Sequence, residues 1–137
     1  STKGIYMRNA TYPDVIKYQG APATTDDGTT AVSVANILTG IVQCTPTADR
    51  SKATDTAANL ISSLYLAANG DSFDFSVINL ATDGTSFITL TAGSSVTLVG
   101  NMIVSAQDVA EDAFTSGVGR FRIRRTSGTA VTMYRIG

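Results

Sequence analysis

From Asp71 onward, apolar and polar residues alternate in short runs: DSFDFSVINL, SFITLTAG, SSVTLVGNMIV, GRFRIRRTSG and TAVTMYRIG. Successive side chains of a strand point to opposite faces, so this period of two predicts half-buried strands, each closed by Gly, Asn, Ser or Thr. Ser72–Leu80 sets Phe73, Phe75 and Val77 against Asp74, Ser76 and Ile78, and Ser86–Thr91 alternates Phe87, Thr89 and Thr91 against Ile88 and Leu90. Val96–Val99 and Met102–Val104 flank Gly100-Asn101, which predicts a hairpin with a tight type II′ turn. Gly119–Arg125 and Ala130–Ile136 predict a closing hairpin around Thr126–Thr129. Between the two expected hairpins, the acidic Gln107–Phe114 reads as a loop or a turn of helix. Many short, punctuated strands predict a mainly β fold, an antiparallel β-sandwich or jelly-roll-like barrel.

The first half is less regular. Ala31–Ala35 and Ile37–Cys44 are strand-like, and Pro46 ends the second run because proline cannot continue a central ladder. One short helix is expected at about residues 56–68. Thr54-Asp55-Thr56 supplies its cap, Asn69-Gly70 its stop, and Ala57, Leu60, Ile61, Leu64 and Ala68 fall on one face. That face suits a helix closing one end of the sandwich. Residues 1–30 hold two of the three prolines and three of the five tyrosines, without periodicity. They read as an N-terminal arm or irregular segment, whose Tyr6, Tyr12 and Tyr18 need a surface to lie on, either this domain's own or a neighbour's. Residues 31–137 read as a single domain.

Composition narrows the function classes. The chain has 137 residues, 43% hydrophobic, enough for one domain with a real core. Charged residues are only 15%, so Thr, Ser, Asn and Gly carry the surface and leave much of it available for burial in an assembly. A net charge of −1 gives no general electrostatic case for nucleic acid. The lone Cys44 cannot form an internal disulfide and suits a small buried hydrophobe. No run approaches the ~18 apolar residues of a membrane helix, and Ser1-Thr2-Lys3 leads into mixed sequence without a leader pattern.

Catalytic chemistry finds little to use. There is no His for a Ser or Cys nucleophile and no Cys/His cluster for zinc. A phosphate-binding Gly-x-x-x-x-Gly-Lys loop is also missing. Asp26-Asp27, Asp71 and Asp74 can in principle act as paired carboxylates or attract calcium, but carboxylates in turns usually cap backbone amides. No enzymatic activity, cofactor or metal is therefore expected. The basic group is the strongest local signal. Arg120, Arg122 and Arg124 share one strand face, and Arg135 lies on the expected partner strand. Such a ladder suits a polyanion, a subunit contact through Asp, or a solvated outer face.

The phrases GIVQCTPTADRSKATDTAANLI, GDSFDFSVINLA, ITLTAGSSVTLVGNMIV and FRIRRTSGTAVTMYRIG, over about residues 40–137, together resemble small structural proteins of tailed-bacteriophage virions, the capsid-decoration (cement) or head-fibre type. The resembling pattern runs from Thr-Pro-Thr-Ala-Asp-Arg before the helix, through a Gly-x-Ser-Phe-x-Phe strand and Asn79, to a terminal Val-x-x-Tyr-Arg-Ile. The resemblance implies a homotrimer on the capsid surface of a virion, bound outside the major capsid protein lattice and resisting internal pressure. It makes Tyr6, Tyr12 and Tyr18 candidates for capsid contact. Arg120, Arg122, Arg124 and Arg135 become candidates for subunit or polyanion contact. A fibre or spike protein binding host-surface glycan is the alternative; membrane and nucleic-acid partners are not expected.

Overall fold

A computed structural model describes residues 19–107 and 117–137 of the protein. Within them the chain runs β1 (Ala23–Thr24), α1 (Val34–Leu38), β2 (Ile41–Cys44), β3 (Arg50–Ala53), α2 (Ala57–Ser63), β4 (Ser72–Asn79), β5 (Ile88–Thr91), β6 (Val96–Val99), β7 (Ile103–Val104), β8 (Val118–Ser127) and β9 (Ala130–Arg135). Tyr6, Tyr12 and Tyr18, and most of Gln107–Phe114, lie outside the described residues.

The strands form a six-stranded sheet, ordered β1-β2-β4-β8-β9-β6, and a three-stranded sheet, ordered β3-β5-β7. The alternation of β4 and β8 does what period two demands. Phe75 and Phe121 face each other across the ladder and stack with ring centroids 5.5 Å apart. Around them Val42, Val77, Ile123, Val131 and Met133 form the inner face of the large sheet. Ile88, Leu90 and Val104 meet it from the small sheet, and Ile37, Ala57 and Leu60 from the two helices. Gly119 makes the closest approach possible, since a Cβ there would sit 2.8 Å from Val104 Cγ2 and 3.0 Å from the Phe121 ring. The fold is thus mainly β, a sandwich-like pair of sheets with short helices, and the β8–β9 hairpin closes it as the alternation predicts.

Four local expectations are corrected. Pairing is mixed rather than wholly antiparallel: β1–β2, β2–β4, β3–β5 and β6–β9 run parallel. Ala31–Ala35 is not a strand, although Val32 makes an isolated bridge to Thr54. A capping box overrides its alternation: Asn36 N donates to Ser33 Oγ at 3.2 Å and Ser33 N to Asn36 Oδ1 at 3.2 Å. Asp55 Oδ2 accepts from Val34 N as well. The expected helix over 56–68 stops at Ser63, because Tyr65 takes a positive φ of 56° and turns the chain away. Finally, Gly100-Asn101 does not close a hairpin. Gly100 (φ +97°) lets the chain leave the large sheet after β6 and enter the small one as β7.

The described part of the segment 1–30 already belongs to this structure. β1 adds to β2, and the loop after it wraps Lys52, a side chain only 1% exposed. The Lys52 ammonium donates to Asp26 O (3.0 Å), Asp26 Oδ1 (2.9 Å) and Thr30 O (3.5 Å). Thr30 Oγ1 donates to the same Asp26 carboxylate. Next to it, Asp27 binds Arg50 Nε at 2.8 Å and the amide and hydroxyl of Thr47.

These contacts set the pH response. Arg50, helped by Thr47, lowers Asp27 to about 2. Thr30 and then Lys52 lower Asp26, and the Ser86 hydroxyl lowers Asp83. Asp55 is also lowered: burial pushes it up, but the Asn59 amide and the backbone N–H groups of Val34 and Thr56 outweigh that. Each depressed carboxyl stabilises the fold fully above its unfolded pKa of about 4 and loses that contribution as pH falls through the folded value. Thermal melts should therefore hold their midpoint down to about pH 5 and fall most steeply between about pH 4 and 2. A midpoint that rises on acidification would contradict these pairings.

Candidate assembly face

The outer side of the six-stranded sheet gathers the candidate residues. In β8 the alternation sends Phe121 and Ile123 into the core and Arg120, Arg122 and Arg124 outward. Register places Ser76, Asp74 and Ser72 of β4 directly across from Arg120, Arg122 and Arg124. On the other flank, Tyr134 and Thr132 of β9 stand opposite Arg122 and Arg124. The face continues with Ile41 and Gln43 from β2 and with Thr97 and Val99 from β6. Val99, 47% exposed, and Ile136, 41% exposed, leave apolar surface on it.

The arginines are not equivalent. Arg122 grips Asp74 in a bidentate pair, Nε to Oδ1 at 2.7 Å and Nη2 to Oδ2 at 2.9 Å. That hydrogen bonding holds the Asp74 carboxyl below the usual range, against some burial, with Arg122 and then Arg120 adding charge attraction. The pair is exposed, so it orients Arg122 more than it stabilises the fold. Among the described residues, Arg120 and Arg124 have no ion-pair partner. These two guanidinium groups stand four residues apart, on either side of the paired Arg122. Beside Arg120 the sheet opens into a polar cavity of about 190 Å³, lined also by Gln19, Thr39, Asp74 and Ser76.

Arg135 does not join this row. It pairs with Phe121 and so lies on the core side, its guanidinium 5.4 Å from the Phe121 ring centroid. Its Nη1 donates to Asn101 O at 3.1 Å and Ile103 O at 2.9 Å, and its Nε to Gly137 O. Arg135 therefore pins the β6–β7 crossing. Placing it with the ladder required knowing the strand register, which the hairpin pattern alone leaves open by one residue.

The candidate carboxylates are dispersed. Asp71 caps Ala68 N at 3.0 Å while Asp74 holds Arg122, so the two serve different partners. Asp26 and Asp27 are engaged by Lys52 and Arg50. No cluster of three or more His, Cys, Asp or Glu able to hold a metal occurs among the described residues. Cys44 is buried, as its apolar setting predicts. No helix among the described residues is long and apolar enough to cross a membrane.

The sequence pattern gave no weight to Lys52, because RSKA is too polar to read as a strand. Tyr65, which falls within the helix expected over 56–68, is 83% exposed in a left-handed turn.

No protein-family model, curated protein or solved structure matches this chain.

Proposed function

We propose that the protein is a structural, non-catalytic component of a virion, which decorates a viral capsid from outside as a trimer and stabilises it. The observation that carries this reading is the broad exposed face of the six-stranded sheet, where Arg120 and Arg124, without an ion-pair partner among the described residues, flank the Arg122–Asp74 pair. Such a face is built for contact with carboxylates on another protein. Guanidinium groups bind carboxylates in a fixed, two-pronged geometry, and the small hydroxyl side chains around them let a partner approach closely. The resemblance of residues 40–137 to capsid-decoration proteins supplies the partner class, the outer surface of a coat lattice. A trimer engages three such sites at once, so modest individual contacts combine through effective concentration.

Double charge reversal tests the face. Arg120→Glu with Arg124→Glu should lower rebinding to capsids stripped of the protein by at least about tenfold, and wild-type binding should weaken as salt rises. Both sites are exposed, so stability should change by less than about 0.5 kcal/mol. Rebinding at wild-type strength by the folded variant would overturn the assignment of this face.

A further inference from the structure

The turn between α2 and β4 holds a reactive pair that the arginine face does not use. Asn69 is the one asparagine of the chain followed by glycine. An asparagine carboxamide lies within reach of the next residue's main-chain nitrogen, and glycine leaves that nitrogen the least hindered. Nothing crowds it here, since a Cβ at Gly70 would meet no atom within 4 Å. Asn69 is exposed, and its side chain makes no hydrogen bond among the described residues. Asp27-Gly28 and Asp83-Gly84 are chemically related pairs, but their carboxyls are held. Asp27 accepts from Arg50 and Thr47, and Asp83 from the amides of Thr85 and Ser86 at 2.9 and 3.0 Å. Arg50 lowers Asp27 to about 2 and the Ser86 hydroxyl lowers Asp83, so both stay ionised, and a carboxylate is a poor electrophile.

The fold withholds the attacking nitrogen. Gly70 N donates to Arg125 O at 2.8 Å, and Arg125 N donates to Asp71 O at 2.9 Å, extending the β4–β8 ladder past Ser72. Asp71 N closes the turn onto Ala68 O at 3.0 Å, and Asp71 Oδ2 accepts from Ala68 N at 3.0 Å. A nitrogen whose proton is bound to Arg125 O is neither deprotonated by hydroxide nor free to swing toward the Asn69 carboxamide. These bonds lie at the end of the ladder, where opening costs least.

We propose that Asn69 is a site of spontaneous deamidation, gated by the hydrogen bond from Gly70 N to Arg125 O. When the end of the ladder opens, Gly70 N loses its proton to hydroxide and bonds to Asn69 Cγ. The bond from Cγ to the carboxamide nitrogen breaks, and that nitrogen takes a proton from water and leaves as ammonia, closing a succinimide ring. Water then opens the ring at either carbonyl. Attack at the main-chain carbonyl gives isoaspartate, which routes the chain through the side chain and adds a methylene to it. Attack at Cγ gives aspartate. Each product adds a negative charge at the end of the sheet that carries Arg124. Isoaspartate also lengthens the turn that Ala68 and Asp71 close, which loosens the gate.

Incubation at mildly alkaline pH, followed by peptide mapping that separates isoaspartate from aspartate, tests this. Asn69 should convert before any other residue, and at least about tenfold more slowly in the folded protein than in the chain unfolded by concentrated urea. Urea below the unfolding transition should raise the conversion rate and the exchange rate of the Gly70 amide together. Asn69→Gln needs a larger ring and should remove the first acidic product seen by isoelectric focusing. Equal rates in the folded and unfolded chain, or exchange and conversion rates that do not move together, would overturn the gate. Conversion first at another residue, or no conversion at Asn69 in the folded protein, would overturn the site. None of these readouts involves a capsid, so the capsid reading and this site stand or fall separately.

Discussion

Replacing Lys52 with alanine should destabilise the protein by about 3 kcal/mol, since it leaves a cavity where a fully buried side chain stood and takes the donor from the Asp26 and Thr30 carbonyls, while the half-exposed Asp26 carboxylate returns to water. Lys52 is among the largest fully buried side chains of the protein, and its ammonium gathers the carbonyls of Asp26 and Thr30 with the Asp26 carboxylate. Lys52→Met separates the two contributions. It fills the space but leaves those carbonyls without a donor, for an expected loss of about 2 kcal/mol. Urea unfolding of the three proteins measures both. A neutral Lys52→Met would show that the loop over residues 25–30 finds other donors and that the ammonium does not organise it.

Asn79→Ala should cost about 3 kcal/mol, because three buried backbone groups each lose a hydrogen bond at once. Asn79 ends β4 in the large sheet and is 1% exposed. Its Nδ2 donates to Ser86 O at 2.8 Å and Val104 O at 3.1 Å, and its Oδ1 accepts from Ala81 N at 2.9 Å. One amide thus ties the large sheet to β7 of the small one. Asn79→Asp gives a sharper signature. An ionised carboxylate would face two carbonyl oxygens, so its folded pKa is raised. The folded state then binds more protons than the unfolded state, and stability is regained as pH falls. The wild type behaves oppositely at low pH. Chemical denaturation of this variant at pH 7 and pH 5 should show the partial recovery, and its absence would mean that Asn79 does not bridge the sheets as described.

What was legible in the sequence follows the physics of alternation. Phe73, Phe75, Val77, Phe121 and Ile123 declare their face by period two, and β4, β8 and β9 form as that pattern demands. The outward row of Arg120, Arg122 and Arg124 follows from the same rule. Alternation does not say which strand neighbours which. The segment SSVTLVGNMIV therefore suggests a hairpin, while β6 in fact lies parallel to β9 and β7 joins β5. Arg135 shows the same limit, since the register that sets it over Phe121 is a tertiary fact. Ser33 and Asn36 did carry a local signal for α1, a reciprocal cap, hidden by the alternating valines around it. Lys52 could not be placed from pattern at all, because its burial depends on a loop more than twenty residues earlier supplying the oxygens.

Under the proposed function, the protein binds the outside of a capsid through an open, arginine-bearing sheet face. The most direct measurement is sedimentation of the purified wild-type protein with capsids freed of it, with bound copies counted against coat subunits. The account predicts saturable binding at a fixed stoichiometry in multiples of three copies per site, lost in the Arg120→Glu, Arg124→Glu variant. No binding, or binding that never saturates and is indifferent to the substitutions, would contradict it.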